Sequence, residues 1–123
     1  MSEIVLEELS FQVMSAVFEV HNVLGSGFLE KVYEGALVKE FGFRNIAVET
    51  QKEINVSYKN EIVGSYFADI LVDGQIIIEL KAVSALLPLH ETQLLNYLKA
   101  TGIKLGLLVN MGSKRVEYKR MVF

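Results

Sequence analysis

The sequence contains no cysteine, and it has no long uninterrupted hydrophobic run. Without cysteine, disulfide bonds and thiolate metal sites are excluded. The most apolar stretch, residues 9–23, is broken by Gln12, Glu19, His21 and Asn22, so it is too short and too polar to span a bilayer. No basic segment precedes an apolar run at the N-terminus, as a signal peptide requires. We therefore expect a soluble, cytoplasmic protein that does not bind membranes.

An excess of positive charge is also missing, since the net charge is −3. This balance argues mildly against non-specific binding of nucleic acid through bulk charge. The charges are unevenly distributed: residues 1–40 hold seven Glu and two Lys, whereas residues 104–120 hold five Lys or Arg and one Glu. Taken alone, the basic C-terminal segment indicates a solvent-exposed edge strand.

The 123 residues suit a single domain, residues 1–123, that is large enough to bury a core. Hydrophobic residues make up 51% of the chain, slightly above the usual share for a soluble protein. This composition predicts either a sheet that is covered on both faces or apolar surface that is hidden in an oligomer.

Hydrophobic periodicity and turn residues predict eight elements in the order α-α-β-β-β-α-β-β. They cover about residues 3–24, 28–41, 46–58, 62–72, 75–83, 89–101, 105–110 and 115–122. Three antiparallel strands, a crossover helix and a further strand predict a mixed α/β sheet with helices packed on it. Ile76, Ile77 and Ile78 make the third strand apolar on both faces, which is typical of a central strand covered on both sides.

The first two helices have distinct start and stop signals. Ser2 is a candidate N-cap of the first helix, and Gly25 is its candidate C-cap. Phe11 and Phe18 widen the apolar stripe of this helix, which predicts burial on more than one side. Gly42 is predicted to end the second helix.

Three charged residues interrupt the most apolar part of the predicted sheet: Asp69, Glu79 and Lys81. Glu79 and Lys81 are two residues apart on one strand, so their side chains point to the same face. Asp69 lies between Ala68 and Ile70 on the preceding strand of the same hairpin. Burying such charges is costly unless they are paired or bind a metal ion. Two carboxylates suit a hard cation such as Mg²⁺, and a nearby lysine can act on a water nucleophile or on developing negative charge.

Whether the two carboxylates meet depends on the hairpin loop. With the two-residue loop Asp73-Gly74, Asp69 faces Ile78 and Glu79 points to the opposite face. With a three-residue loop, Asp69 faces Glu79 directly and both project together. The metal-site hypothesis therefore requires the three-residue loop or a compensating bulge. The alternative interpretation is that Glu79 and its lysine neighbour form an ordinary ion pair.

At these residues the sequence resembles the PD-(D/E)XK nuclease superfamily, through Phe67-Ala68-Asp69 followed by Glu79-Leu80-Lys81. More narrowly, it is similar to the small bacterial and archaeal family of GxxExxY proteins, through Gly27-Phe28-Leu29-Glu30-Lys31-Val32-Tyr33. Gln93-Leu94-Leu95-Asn96-Tyr97 is similar to the Gln-x-x-x-Tyr helix of exonuclease-type members. The resemblance covers nearly the whole chain, with the motifs in the expected order. Ala68 departs from the proline of the superfamily name, at a position that does not ligate metal.

The resemblance implies a restriction-endonuclease-like mixed sheet and a nuclease that uses Mg²⁺ or Mn²⁺ on DNA or RNA. It implies that Asp69, Glu79 and the Leu80 carbonyl ligate the metal. Glu30 would approach the metal, often through water, and Lys81 would act on the water. Taken alone, Glu30 would be explained by the helix dipole, which favours a carboxylate in the first turn.

The resemblance also assigns roles to residues of the third helix. Gln93 and Tyr97 would hold substrate phosphate or orient the lysine, and their i, i+4 spacing lets them act together. Without the family, a polar helix face is the simpler interpretation of both. His90 could contact phosphate, although capping of the helix explains it as well. His21 and Tyr33 are predicted to be structural, with the Tyr33 hydroxyl hydrogen-bonded in the core.

Three hypotheses follow. The leading one is a metal-dependent phosphodiesterase that acts on DNA or RNA. The second is a catalytically weak or inactive module that binds nucleic acid or a protein partner. The third is a homodimer formed through apolar surface, which is compatible with both of the others. No base-reading motif is present, so the sequence does not determine the substrate, its strandedness or its sequence preference.

Overall fold

The computed structural model describes residues 3–123, and its elements follow the predicted order α-α-β-β-β-α-β-β. The predicted N-cap Ser2 lies outside the described residues. The helices and strands are α1 (Glu3–Leu24), α2 (Glu30–Phe43), β1 (Val48–Tyr58), β2 (Glu61–Val72), β3 (Ile76–Lys81), α3 (Pro88–Thr101), β4 (Leu105–Asn110) and β5 (Glu117–Val122). None of these helices is both long and apolar enough to cross a membrane.

The five strands form one mixed sheet in the order β1-β2-β3-β4-β5. Strands β1, β2 and β3 pair antiparallel, and β3 pairs parallel with β4 after the crossover through α3. β5 pairs antiparallel with β4 and forms an edge, as its mixed and basic sequence predicts. The predicted mixed α/β sheet flanked by helices is therefore confirmed.

Helices cover both faces of the sheet. Ile76 and Ile78 pack on the face of α1 and α2, in a cluster that includes Tyr33 and Leu37. Ile77 packs on the other face, in a cluster that includes Leu94 of α3. The triple isoleucine is thus buried from both sides, which confirms that β3 is a central strand.

The β2–β3 hairpin has the three-residue loop that the metal-site hypothesis requires. Val72 pairs with Ile76, so residues 73–75 lie outside the ladder. Asp73 and Gly74 both adopt left-handed backbone conformations, with φ of 50° and 66°, and Gln75 N–H donates to the Val72 carbonyl at 2.8 Å. Because Asp and Gly tolerate this conformation better than most residues, the sequence stabilises this loop.

The predicted end of α2 at Gly42 is wrong, because the helix continues to Phe43. Arg44 N–H donates to the carbonyls of Glu40 and Phe41, each at 3.1 Å, and its Nε lies 2.7 Å from the Glu40 carboxylate. These bonds hold the last turn in place, so a single glycine does not stop the helix. The helix also begins at Glu30 rather than near residue 28.

The prediction that α1 is buried on more than one side is also wrong. Phe11 is 72% exposed and Phe18 is 42% exposed, while Val13 and Val17 are fully buried. Only one side of α1 packs on the sheet, so the wide stripe leaves aromatic rings at the surface. Gly25 does end α1, with φ of 72° and its N–H bonded to the His21 carbonyl at 2.8 Å.

Candidate active site

The β2–β3 ladder ends beside the predicted carboxylates, because Ile70 and Ile78 are its last paired residues. Beyond them, Asp69 N–H donates to Glu79 Oε1 at 3.1 Å. In the opposite direction, Leu80 N–H donates to Asp69 Oδ2 at 2.8 Å. Each carboxylate thus takes the place of a backbone carbonyl across the gap, and the two side chains converge between the strands.

The Leu80 carbonyl points into the same gap. The next carbonyl along the chain, that of Lys81, accepts a bond of 2.8 Å from Met111 N–H at the end of β4. Successive carbonyls of a strand point to opposite edges, so that of Leu80 points away from β4 and toward β2. Two carboxylates and one carbonyl therefore meet where the hairpin opens.

A cavity of about 120 Å³ adjoins this gap. It is lined by Glu30, Lys31 and Glu34 of α2 together with Gln51, Asp69 and Leu80. Helix α2 begins at this point, so Glu30 reaches the cavity from its first turn. The structure therefore brings the predicted helix glutamate next to the predicted metal ligands. Glu34 was not predicted, although its spacing of four residues from Glu30 places it on the same helix face.

Tyr33 explains why Glu30 is in this place. Its ring is fully buried, its hydroxyl donates to the Gly25 carbonyl at 2.6 Å, and the hydroxyl accepts a bond of 3.3 Å from Phe28 N–H. These bonds brace the loop between α1 and α2, where Gly27 has a φ of 112° that disfavours other residues. The predicted structural role of Tyr33 is confirmed, and the Gly-x-x-Glu-x-x-Tyr spacing acquires a physical reason.

Gln51 on β1 is the main residue that the sequence did not reveal. It lies opposite Asp69, where the β1–β2 ladder skips one pair between Thr50↔Ile70 and Lys52↔Ala68. Its φ of 49° is unusual for a residue other than glycine. Its Nε2 donates to Glu34 Oε1 at 2.7 Å and, more weakly, to Asp69 Oδ1 at 3.4 Å.

The irregularity at Gln51 changes the side-chain pattern of β2. Ala68 and Leu71 both pack in the cluster on the α3 face, although they are three residues apart. Strict alternation would place them on opposite faces. The strand therefore twists at Asp69, and its carboxylate enters the gap rather than projecting straight from one face.

Lys81 is connected to α3 through a chain of hydrogen bonds. Its Nζ donates to Gln93 Oε1 at 3.2 Å, and Gln93 Nε2 donates to the Tyr97 hydroxyl at 3.0 Å. None of the ion pairs among the described residues joins Lys81 to Glu79. The structure thus brings together the three residues that the family motifs suggested, and it does not show the simple ion pair of the alternative interpretation.

The two histidines are held by structural contacts. His90 Nδ1 accepts a bond of 3.0 Å from Leu87 N–H, so His90 caps the start of α3, and its ring also lines the groove beside Lys81. His21 is buried, and its Nε2 lies 3.1 Å from the Ser113 carbonyl. Both contacts agree with the structural interpretations that the sequence offered.

The segment after β3 is fixed by Asn110, which the sequence analysis did not single out. This side chain is fully buried and makes hydrogen bonds of 3.0 and 2.9 Å to both backbone groups of Val83. Gly112 lies so close that an added Cβ would be 2.4 Å from the Val83 nitrogen. Asn110 and Gly112 therefore hold the chain that leaves Lys81 against β4.

Burial and mutual repulsion perturb the carboxylates of the site. Glu79 is only 4% exposed, and burial, together with the nearby Asp69 charge, raises its pKa to about 8. Burial also raises the pKa of Asp69 and of Glu30 above their ordinary values. Lys81 opposes the shift of all three groups without cancelling it. The site therefore carries a deficit of positive charge that a cation would offset.

The donor atoms fit a hard divalent cation. As they stand, no three acidic or histidine side chains of residues 3–123 enclose a metal position. The oxygens in the gap are two carboxylates and one carbonyl, and Glu79 Oε2 accepts no hydrogen bond from the described residues. Mg²⁺ binds through one or two carboxylates and keeps several of its waters, so this sparse set suits it.

The sheet, its covering helices and the paired carboxylates define a small α/β fold with a candidate hydrolase site. Residues 7–121 match the family described as the PD-(D/E)XK nuclease superfamily. The chain therefore belongs to the PD-(D/E)XK nuclease superfamily.

Comparison with individual proteins adds information on the fold alone. No curated protein sequence gives a significant match to the chain. Among solved structures, the chain is similar to one described as "Crystal structure of SSO0001", with a TM-score of 0.58 and 22% identity over 94% of this chain. The match covers 58% of that protein, which is therefore considerably longer than the chain.

Proposed function

We propose that the chain is a divalent-metal-dependent nuclease that hydrolyses phosphodiester bonds of DNA or RNA. The observation that carries this proposal is the meeting of Asp69 and Glu79 in the opened hairpin, with Lys81 beside them. Membership of the nuclease superfamily and the raised pKa of Glu79 support it. Charges placed at such cost in a core are more readily explained by chemistry than by stability.

Asp69, Glu79 and the Leu80 carbonyl would hold Mg²⁺ or Mn²⁺, with Glu30 approaching it through water. The bound metal would supply an activated water and offset charge on the phosphate. Lys81, whose Nζ is held by Gln93, would donate a hydrogen bond to the attacking water or to a phosphate oxygen.

The residues of α3 would support this chemistry. Gln93 and Tyr97 would keep Lys81 in position. The atoms of both residues that line the groove would contact the substrate together with His90. Burial raises the pKa of Tyr97, so its hydroxyl stays protonated and available as a donor.

A cleavage screen tests this proposal directly. Single-stranded DNA, duplex DNA and RNA would be incubated with Mg²⁺ or Mn²⁺ and with EDTA, using the wild type and the Lys81→Ala variant. We expect metal-dependent cleavage of at least one substrate, and a loss of about a hundredfold or more in Lys81→Ala. Lys39→Ala, an exposed change on α2, is the matched control and should cleave as the wild type does. Equal rates for Lys81→Ala and the wild type would disprove the proposed role of the lysine.

A second candidate is a catalytically weak or inactive member that binds nucleic acid or a protein partner. The acidic net charge of −3 favours it, and so does the lack of a third side-chain ligand at the gap among residues 3–123. Titration calorimetry with Mn²⁺ separates the two. Binding that is lost in Asp69→Asn supports the nuclease, whereas no binding of Mn²⁺ supports the inactive module.

Narrower predictions belong to the same proposal: membership of the GxxExxY family, a single domain over residues 1–123, a cytoplasmic location and a homodimer. The homodimer would use the aromatic surface formed by Phe11, Phe18 and Tyr118, each at least 42% exposed. Light scattering with Phe11→Ser as comparison tests the oligomeric state, since a dimer through this surface should dissociate in the variant.

A further inference from the structure

A groove of about 950 Å³ runs from Lys81 between α3 and the β1–β2 hairpin. Lys81 and Lys99 line it, and none of the described residues that line it is acidic. The neighbouring small cavity is lined by three carboxylates, those of Glu30, Glu34 and Asp69, and by one cation, Lys31, which pairs with Glu34. The two regions thus differ in sign: the cavity suits a cation, and the groove suits an anionic ligand.

Tyr66 of β2 forms an aromatic surface in the groove. Its side chain is 51% exposed, and its ring lies on that of Tyr97 with centroids 5.7 Å apart and planes tilted by 42°. Tyr97 is only 5% exposed, and Gln93 holds its hydroxyl. Tyr66 is therefore supported from behind by a fixed ring, while about half of its surface faces solvent. Such a ring is ready to stack on a flat, apolar ligand surface.

Neutral polar groups of α3 also line the groove. Thr92 and Asn96 line it with exposed side chains. Asn55 and Ser57 of β1 line it as well, but they alternate with Ile54, the partner of Tyr66, so their side chains point from the opposite face of the sheet. An amide both donates and accepts hydrogen bonds, so it can pair with the polar edge of any nucleobase. The Watson–Crick edges and the faces of the bases are free for such contacts only where the nucleic acid is not in a duplex.

The groove is close to the proposed reaction centre. Tyr66 precedes Asp69 by three residues on β2, which corresponds to roughly 10 Å along a strand. Lys81 lines the groove and also neighbours the carboxylates. A nucleotide stacked on Tyr66 would therefore lie near the bond to be cleaved.

We propose that the groove between α3 and the β1–β2 hairpin binds a single-stranded segment of nucleic acid, with Tyr66 as the stacking surface for an unpaired base. The position of the cleaved bond rests on the proposed nuclease function, whereas the binding of the strand does not. All bases can stack on an aromatic side chain. The groove should therefore distinguish single strands from duplexes, but not one base sequence from another.

Fluorescence anisotropy in EDTA, where a metal-dependent enzyme cannot cleave, tests the binding. The ligands are labelled ten-nucleotide thymidine and uridine oligonucleotides, an abasic oligonucleotide of equal length, and a ten-base-pair duplex. The proteins are the wild type, Tyr66→Leu, Tyr66→Phe, and Tyr58→Leu as a control on the same hairpin, where Tyr58 is 62% exposed and outside the groove.

We expect Tyr66→Leu to weaken binding of a single strand about tenfold, while Tyr66→Phe and Tyr58→Leu stay within about twofold of the wild type. The wild type should bind the abasic strand about tenfold more weakly, and Tyr66→Leu should add no further loss, because both changes remove the same contact. The thymidine and uridine arms show whether DNA, RNA or both can occupy the groove.

Three results would overturn the groove assignment: no binding of any single strand, equal affinity of the wild type for normal and abasic strands, or a duplex bound as tightly as a single strand. The abasic comparison uses the wild type, so it holds even if Tyr66→Leu folds poorly. If the protein cleaves nothing but shows base-dependent binding, the nuclease proposal fails and the groove assignment stands.

Discussion

The two ends of the β2–β3 hairpin are built on opposite principles. At the closed end, residues 70–72 pair with residues 76–78, and all six side chains are buried and apolar. One residue further along each strand, the ladder stops, and Asp69 and Glu79 bond to backbone amides across the gap. The closed end provides stability. Because it also fixes the positions of both strands, the open end can hold charge that is unfavourable for stability. Substitutions at the two ends should therefore affect different properties.

The largest effect is expected at the open end, on activity. Asp69→Asn and Glu79→Gln keep the shape of the side chains but remove the charge that a metal requires, so cleavage should fall about a hundredfold or more. The stability of the metal-free protein should stay the same or rise, because the variants relieve the cost of burying the charge and the repulsion by Asp69, which together raise the pKa of Glu79. Cleavage assays and thermal melts of the same samples measure both. A large loss of stability in both variants would show that the carboxylates are structural.

At the closed end the effect should fall on stability. Ile77 is 1% exposed and packs on the α3 face, so Ile77→Ala leaves a cavity and should lower the free energy of unfolding by about 2–5 kcal/mol. Denaturant unfolding measures this value. Below the unfolding transition, the affinity for Mn²⁺ should remain that of the wild type. A tenfold loss of Mn²⁺ affinity in the folded variant would mean that the two ends are not independent.

The pH dependence of stability should also distinguish the open end of the hairpin from the closed end. The pKa of Glu79 rises from 4.5 to about 8 on folding, so between these values the metal-free native state holds a proton that the unfolded state has lost. The contribution of this group to stability is therefore complete below pH 4.5 and is lost as the pH rises toward 8, by a few kcal/mol at most. Asp69 shifts in the same direction. Denaturant unfolding at several pH values should show this fall, and Glu79→Gln should remove most of it. A wild-type stability that does not change over this range would contradict the burial of an unpaired carboxylate.

The closed end could be predicted from the sequence, and the open end only in part. Alternating and continuous apolar runs identified the strands, and Asp73-Gly74 identified the hairpin, because these signals are local. The same residues left two loop lengths open, since the choice depends on how β2 packs against its neighbours. Asp69 and Glu79 stood out as charges within apolar runs.

Gln51 could not be found in this way, because a glutamine in a polar strand is ordinary. Its left-handed backbone and its bond to Glu34 arise only when β1, β2 and α2 come together. The end of α2 was missed for a related reason, since Arg44 holds a last turn that Gly42 alone would not predict. Non-local contacts thus determine the details in both places.

The smallest expected effect concerns Gln51, which links the open end to β1. In Gln51→Gly the positive φ is no longer unfavourable, but glycine weakens a strand, so stability should change by less than about 1 kcal/mol. Cleavage should nevertheless fall about tenfold, because Asp69 and Glu34 lose the amide that lies between them. Thr50→Gly on the same strand is the control, with a similar strand penalty and no described bond to the site. If both variants cleave equally, Gln51 contributes to the twist of β2 but not to cleavage. The functional part of the open end then includes Asp69 but not Gln51.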